Sequence, residues 1–385
     1  MKYIYHFAAV TVLTGISGFS HASLATSSGV QSFSGSAAVT ATGTSTGAGA
    51  PLTNATNSNN NALISNVSLG QFDASLGVLT GVELQLNSSR VQAIDGTGFK
   101  NNGPGRTAGG SGTSSASLSA PGLDAVFAPN ITQIGTGCGL AMGMTGFIQC
   151  GWGPQTSATT VTNTTGNVAS GNLNDYVGAG AVNAALTTPN LSATATLTTT
   201  MGQPSGSTVN YSVAWSGGLE AIYSYALHAA ASFNGSSAQT SLTLDFGVIP
   251  QFGATPTLGF DIFNLTDSNR TGLDLDAFSG SGDTGVFSTG LAAFSGLAQG
   301  ASNGFAATML TDTLGSFRAS YLLSLSDADF GASNTWFDQT LTLNLVGVVS
   351  PVPEAQTWAM LLAGSGLIGW RLKNQSREEP NMAFA

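Results

Sequence analysis

The feature that most constrains this chain is an alternation of large apolar and small polar residues, which recurs in short runs along much of its length. One such run covers residues 78–86, where Val82, Leu84 and Leu86 are separated by polar residues. Because β-strand side chains point alternately to opposite faces, this period of two predicts strands with one buried face. Gly, Asn, Ser and Pro bound the runs, as in turns. The predicted strands are 63–69, 78–86, 191–200, 208–215, 221–233, 241–249, 257–263, 317–325 and 340–349.

Strands at this spacing predict an all-β fold, an antiparallel β-sandwich of jelly-roll or immunoglobulin-like kind with long Gly/Ser/Asn-rich loops. Only 7% of the residues are charged, against about 25% in an average protein, and 51 are glycine. The recurring alternation nevertheless favours a folded secreted protein over a disordered one. Residues 221–231 are rich in alanine, so a short helix is an alternative to a strand there.

The net charge of −10 argues against nucleic-acid binding, because the sequence has no basic patch that could contact phosphates. A net negative charge is compatible with a solvated surface or with the binding of divalent cations.

The N-terminus predicts export. Lys2 forms a minimal positive region, residues 7–16 an apolar region, and Ser20-His21-Ala22 a small-residue cleavage site. Residues 1–22 are therefore predicted to be a signal peptide, the alternative being a retained N-terminal anchor. The rest of the chain divides by composition into four segments. Residues 23–60 are predicted to be a low-complexity flexible segment or a loosely held first strand, and residues 61–350 an ectodomain with a loop-rich insertion at about 95–185. A C-terminal segment at 351–373 and a polar tail at 374–385 follow.

Cys138 and Cys150 are the only cysteines. In an exported chain such a pair favours a disulfide, here closing a loop of about thirteen residues. The alternative, a pair of metal thiolates, needs two further ligands, and no other Cys or His lies nearby in the sequence.

The C-terminal segment joins a Pro-rich extended start to an apolar run from Ala359 to Trp370, which is followed by Arg371 and Lys373. A helix from Trp358 to Leu372 has about fifteen residues and spans roughly 22 Å, less than the ~30 Å hydrocarbon core of a bilayer. A membrane-spanning helix, a buried core helix and an interfacial helix all remain open from hydropathy alone. The basic residues after the run favour a cytoplasmic end.

As a set, these residues resemble the PEP-CTERM sorting signal. The matching positions are Val352, Pro353, Glu354, Thr357, Trp358, Ala359, Met360 and Arg371, with Lys373 in the basic stop. The resemblance implies export, transient anchoring in the inner membrane of a Gram-negative bacterium, and processing by an exosortase near Pro353-Glu354. The processed ectodomain would then reach the cell surface or the exopolysaccharide matrix. Two features depart from the signal: Ala355 replaces its second proline, and a twelve-residue tail follows.

A second resemblance covers residues 71–82, which begin Gln71-Phe72-Asp73 and end Gly81-Val82. This phrase is similar to the opening of the choice-of-anchor family of bacterial surface domains. It implies a β-rich domain attached to a surface anchor, for which PEP-CTERM is one option.

An acidic stretch is a candidate calcium site. Asp267, Asn269, Thr271 and Gly272 follow the first positions of an EF-hand loop, but the twelfth position is Phe278 rather than the required Glu. The remaining candidate calcium ligands are Asp267, Asn269, Asp274, Asp276 and Asp283, of which Asp274 and Asp276 would share one face of a strand. The alternative is a solvated turn in which Asp and Asn make local hydrogen bonds. A second, weaker candidate is the pair Asp327 and Asp329.

Aromatic residues offer two interpretations, stacking on sugars or packing in the core, and the core is favoured for most of them. They are Trp152, Tyr176, Trp215, Tyr223, Tyr225 and Trp336.

Catalytic signatures are missing from the sequence. After signal removal the chain keeps one histidine, His228, whose run of alanines indicates a partly buried structural role. No Gly-x-Ser-x-Gly elbow, His-Glu-x-x-His helix or Lys-containing phosphate loop occurs.

We therefore predict a non-enzymatic surface or matrix protein without a resident cofactor, which binds polysaccharide or calcium. Its predicted partners are an exosortase-type enzyme, the inner membrane and exopolysaccharide. Two alternatives stay open: a glycosidase or lyase that uses Asp/Glu pairs, and an ice-binding or adhesive protein presenting Thr-rich strands such as 194–200.

Overall fold

The computed structural model describes residues 23–45, 54–101, 106–142, 146–198, 205–352 and 355–375. The predicted signal peptide, Pro353, Glu354 and most of the polar tail lie outside these residues. Within them, the prediction of an all-β fold built mainly of antiparallel sheets is confirmed. The described chain divides into two compact units, where the sequence predicted a single ectodomain.

The first unit contains the described residues up to His228, together with Ser268–Thr271 and Asp327–Phe337. Short 3-10 helices cover Ala74–Leu76, Ser170–Tyr176 and Ser333–Thr335. Its described strands are β1 (Leu24–Ser27), β2 (Gln31–Ser45), β3 (Ala55–Ser58), β4 (Ala62–Gly70), β5 (Val78–Asn101), β6 (Arg106–Ala120), β7 (Leu123–Leu140), β8 (Phe147–Thr156), β9 (Thr160–Asn167), β10 (Ala181–Thr188), β11 (Leu191–Thr198) and β12 (Ser205–Ala226).

Two long strands organise the first sheet of this unit, which we call sheet 1. β5 and β12 pair antiparallel from Lys100 opposite Ser205 to Val78 opposite Ala226. β1 and β2 pair with the far side of β12, and β8 and β9 with the far side of β5. Sheet 2 has the order β3-β11-β6-β10-β4, with β7 also paired to β6.

The core of the first unit lies between these two sheets. Alternate residues of the central strands point inward, including Leu84 and Leu86 on β5 and Val209 on β12. Gly112 of β6 marks a close approach of the sheets, because a Cβ there would overlap the Tyr211 ring. At this point a large side chain of sheet 1 packs against a glycine of sheet 2, while elsewhere sheet 2 contributes large side chains such as Leu69 and Leu118.

The second unit contains 229–267, 272–326 and the chain from 338 onward. Its described strands are β13 (Ala231–Ser232), β14 (Ser241–Pro250), β15 (Thr257–Asn264), β16 (Leu273–Gly282), β17 (Phe287–Thr289), β18 (Phe294–Leu297), β19 (Ser302–Met309), β20 (Gly315–Asp327) and β21 (Asp338–Ser350).

Two sheets again enclose the core of the second unit. Sheet 3 has the order β13-β15-β19-β17, and sheet 4 the order β14-β21-β20-β16-β18. The β14–β21 pair is parallel, whereas the other described pairs of these sheets are antiparallel. Ile262 and Met309 of sheet 3 belong to the same buried cluster as Leu323, Leu343 and Leu345 of sheet 4.

Two predicted loop regions differ from the structure. The segment 23–60 forms β1, β2 and β3, and β2 pairs with β12 along its whole length. The predicted insertion at about 95–185 is also strand-rich, running from the end of β5 to β10. In both regions many inward positions hold small residues such as Ala37, Ala41, Gly110 and Gly112. Large buried residues such as Phe33 and Phe127 are therefore too widely spaced to give a recognisable alternation. The 221–231 stretch follows the strand prediction as far as Ala226 and contains no helix.

The predicted C-terminal helix is present as α1 (Ala355–Gln375). Judged by length and hydropathy together, no helix among the described residues could cross a membrane, which differs from the predicted transmembrane segment. The helix includes glycine, serine and two basic residues, which lower its mean hydropathy.

Candidate functional site

The described part of the sorting-like segment is a helix that no other described part of the chain covers. Thr357 and Trp358 lie in the first turn of α1, while Arg371 and Lys373 lie near its end, where positive charge favours the helix dipole. All large apolar side chains described on α1 are between 63% and 76% exposed; these are Met360, Leu361, Leu362, Leu367, Ile368, Trp370 and Leu372. Val352, just before the helix, is also exposed. A contiguous apolar surface of this kind marks an interaction site rather than a core element.

The predicted disulfide is present. Cys138 lies on β7 of sheet 2 and Cys150 on β8 of sheet 1, with their Cα atoms 5.9 Å apart. Both side chains pack against the core of the first unit. The bond therefore links the two sheets of that unit.

Replacing both cysteines by alanine is expected to lower the free energy of unfolding by about 2–4 kcal/mol, because the unfolded chain loses its cross-link. Urea denaturation of the double variant and of the oxidised native chain measures the difference. A reductant should bring the native chain to the stability of the variant and leave the variant unchanged. Equal stability of the oxidised chain and the double variant would contradict the prediction.

Two of the candidate calcium ligands, Asp274 and Asp283, accept hydrogen bonds from backbone amides. Asp274 is only 7% exposed, and its Oδ1 accepts a hydrogen bond from the Gly296 amide at 2.6 Å. Asp276, two residues along β16, is exposed, because the strand shifts register between Leu273 and Leu275. Asp283 accepts from the Arg318 amide at 2.8 Å.

The remaining candidate ligands give no metal site either. Asp267 is exposed, and Asn269, whose φ of 58° is left-handed, donates to the Tyr225 carbonyl at 3.3 Å. Over the described ranges, no three or more His, Cys, Asp and Glu side chains lie close enough together to hold a metal ion. The structure therefore does not bring the predicted calcium ligands together. Asp274, Asp283 and Asn269 instead make hydrogen bonds to backbone groups 22 to 44 positions away in the sequence, which also differs from the solvated turn with local hydrogen bonds.

His228 has a buried partner that the sequence interpretation missed. Its Nδ1 lies 2.7 Å from Asp327 Oδ2, and its Nε2 lies 2.9 Å from the carbonyl oxygen of Ala74. The histidine side chain is 18% exposed and that of Asp327 is fully buried. Asp327 also accepts from the Phe337 amide at 2.9 Å, and Arg270 donates to the His228 carbonyl. Asp329, its predicted companion, is exposed.

These contacts favour the protonated form of the His228 ring. The carbonyl oxygen of Ala74 and the carboxylate oxygen of Asp327 can both accept hydrogen bonds, so His228 satisfies both when both ring nitrogens carry protons. Burial lowers the pKa of His228, but the hydrogen bonds to Asp327 and Ala74 outweigh it, and the pKa lies above the ordinary value. Both ring nitrogens are occupied within the protein, which supports the predicted structural role of this residue.

Most of the aromatic residues considered for sugar stacking lie in the core, as predicted. Trp152, Tyr176, Trp215 and Tyr223 are buried, and Tyr225 is partly buried. Trp336 is 38% exposed and donates from Nε1 to the Phe330 carbonyl at 2.8 Å. Among these six, Trp336 alone presents an exposed ring.

Threonine and serine side chains cover the outer faces of the first unit. Thr194 of β11 lies 3.0 Å, Oγ1 to Oγ1, from Thr56 of the neighbouring strand. Thr113 and Thr132 make the same kind of contact at 3.0 Å. The predicted Thr-rich strand is described as far as residue 198, and its role in adhesion or ice binding stays a prediction.

Two shallow grooves lie on outer sheet faces, one in each unit. The groove on sheet 1 has a volume of about 400 Å³, and its hydroxyl groups come from Ser34, Ser36, Ser89 and Ser216. The groove on sheet 4 has a volume of about 410 Å³ and is lined by outward side chains of β14, β21, β20 and β16. Its polar side chains are Thr243, Ser281, Arg318, Ser320 and Asn344. Such hydroxyl and amide groups can donate and accept hydrogen bonds with a hydroxyl-rich ligand.

No protein-family profile matches this sequence, and no curated protein matches it. Among solved structures, the VesB protease of Vibrio cholerae is similar at 12% identity over 34% of this chain and 38% of that chain, with a TM-score of 0.22. A PapD-like domain of human CEP192 is similar at 13% identity over 32% of this chain and 87% of that domain, with a TM-score of 0.23. A nucleoside hydrolase-related hypothetical protein from Saccharophagus degradans gives 16% identity over 33% of this chain and 26% of that chain, with a TM-score of 0.19. The match spans less than two fifths of the protease's length.

Proposed function

We propose that this chain is a non-enzymatic exported protein of the bacterial cell surface or exopolysaccharide matrix, sorted through its C-terminal segment. The observation that carries the proposal is α1, whose described apolar side chains are exposed in the part of the chain that the structure describes. Such a helix needs a partner outside the chain. The PEP-CTERM-like residues around it make the inner membrane and an exosortase the partners that we propose.

The ectodomain is proposed to be of the choice-of-anchor type, with β-sandwiches of jelly-roll or immunoglobulin-like kind. Two sheets packed face to face in each unit are compatible with that class. The disulfide suits an oxidising compartment outside the cytoplasm. Of the two predicted ligands, we propose polysaccharide, because the grooves present hydroxyl groups. Among the described residues, no three acidic side chains lie close enough together to hold a metal ion.

The test of sorting is the C-terminus and location of the mature protein in an exosortase-positive Gram-negative host. The native chain is expected to end near Glu354 and to appear in the surface or matrix fraction. Changing Pro353 and Glu354 together to alanine is expected to leave most of the chain uncleaved in the inner-membrane fraction. Mass spectrometry of each fraction measures both outcomes.

Two comparisons make this test specific. A Gln356→Ala variant alters a nearby residue that is not one of the matching positions of the signal, and it should be processed like the native chain. An exosortase-deficient strain should retain the native chain uncleaved. Release of an intact chain into the matrix, or identical cleavage in the deficient strain, would refute the sorting proposal.

A further inference from the structure

We propose that the groove on sheet 4 binds a polysaccharide containing uronic acid residues, and that Arg318 receives a carboxylate of that ligand. The inference deepens the proposed function, since it takes a matrix polysaccharide as the ligand. It rests on the arrangement of the lining side chains and on the single charge among them.

The polar lining forms a straight row across four neighbouring strands. Thr243 of β14 lies opposite Asn344 of β21, and Asn344 lies opposite Ser320 of β20. Ser281 of β16 continues the row, because its hydroxyl donates to the Ser320 carbonyl at 3.4 Å. With strands about 4.8 Å apart, the four side chains extend over roughly 14 Å. An extended ligand with regularly spaced hydroxyl groups fits such a row.

Arg318 stands beside this row. It lies on β20 two residues before Ser320, on the same face, and its register partner on β21 is the uncharged Val346. Its side chain is exposed, and in the described ranges its guanidinium makes no hydrogen bond or ion pair. Asp283 is near, but its carboxylate accepts from the backbone amide of Arg318.

Charge complementarity selects the class of ligand. Arg318 is the only formally charged side chain in the lining, so the groove offers one positive group among hydroxyl, amide and small side chains. A guanidinium binds a carboxylate through two parallel hydrogen bonds, whereas the serines and asparagine suit sugar hydroxyls. The net charge of −10 opposes long polyanions, but this repulsion is screened beyond about 8 Å at physiological salt. A uronic acid within a sugar chain satisfies both parts of the lining.

The test uses the purified full-length chain and trigalacturonic acid, a probe short enough to limit long-range repulsion. Its methyl ester keeps the hydroxyl groups and removes the charge. Calorimetry is expected to show at least tenfold tighter binding of the acid than of the ester, with the preference falling as salt rises. Arg318→Gln should abolish this preference, and Arg318→Lys should keep part of it because the charge remains without the planar fork.

Two further variants separate the row from the charge. Asn344→Ala should weaken binding of acid and ester alike, and Ser324→Ala, an exposed change on β20 outside the lining, should change neither. Equal binding of acid and ester, no binding of either, or unchanged preference in Arg318→Gln would each overturn the proposal. Because binding is measured on purified protein, a failure of sorting leaves this result unaffected, and a failure of binding leaves the sorting test unaffected.

Discussion

Replacing Asp327 by alanine is expected to lower the free energy of unfolding by roughly 3–5 kcal/mol at about pH 6, because it removes the fully buried partner of a protonated histidine whose side chain is only 18% exposed. His228 would keep its bond to Ala74 but lose the carboxylate at 2.7 Å. The Phe337 amide would lose its acceptor in the same step. Urea denaturation monitored by tryptophan fluorescence measures the loss, since Trp152, Trp215 and Trp336 all lie in the first unit.

The pH dependence of this effect identifies its cause. The pKa of His228 is raised above the ordinary value of 6.5. Its contribution to stability is therefore fully present below about pH 6.5 and is lost as the pH rises through the folded-state pKa. The native chain should lose stability over that window, and Asp327→Asn should show a smaller loss. Asp329→Asn, an exposed change two residues away, is the matched control. If Asp327→Asn showed the same dependence of stability on pH as the native chain, the assignment of this dependence to the His228–Asp327 pair would be wrong.

The second large effect is expected from Leu343→Ala, at about 2–5 kcal/mol, because it removes a fully buried side chain and leaves a cavity. Leu343 lies on β21 opposite Tyr321 and belongs to the buried cluster of the second unit. Leu322 on the adjacent strand is 46% exposed, so Leu322→Ala should cost less than about 1 kcal/mol. Far-UV circular dichroism in urea measures both variants.

Tryptophan fluorescence adds a readout of the first unit for the same Leu343 variant when Trp358 and Trp370 of α1, which belong to the second unit, are replaced by phenylalanine. The described strands of the second unit contain no tryptophan. If the damage stays in the second unit, the dichroism transition should move to lower urea while the fluorescence transition stays. Similar losses in Leu343→Ala and Leu322→Ala would show that burial of Leu343 contributes little.

Strands that bury large side chains could be predicted from the sequence. The predicted strands 63–69 and 340–349 correspond to Ala62–Gly70 and Asp338–Ser350. Strands β2 and β6 were missed because most of their inward positions hold glycine, alanine or serine, which also make up the turns and loops, and the large buried residues Phe33, Val39 and Leu118 are too few to form a clear alternation. Their strand state depends on long partners such as β12, and pairing over such sequence distances leaves no local pattern.

Some candidate sites could also be predicted from local sequence, whereas others depend on contacts between distant residues. The disulfide followed from having only two cysteines, and the C-terminal helix from a local apolar run. The His228–Asp327 pair joins residues 99 positions apart, so no spacing could reveal it. The candidate calcium ligands show a related limit, because nearness in sequence did not bring three carboxylates together among the described residues. The groove on sheet 4 depends on strand order, which periodicity does not contain.

The first unit draws two short segments, Ser268–Thr271 and Asp327–Phe337, from far beyond its main body. A ribosome that has just made residue 228 has therefore produced the twelve described strands of this unit but not the partner of its histidine. The first unit stays incomplete until β13 to β20 of the second unit have been synthesised as well. For the same reason, cutting the chain after His228 would not release an intact first unit. A chimera that moves this unit into another protein should therefore keep the chain at least as far as Phe337.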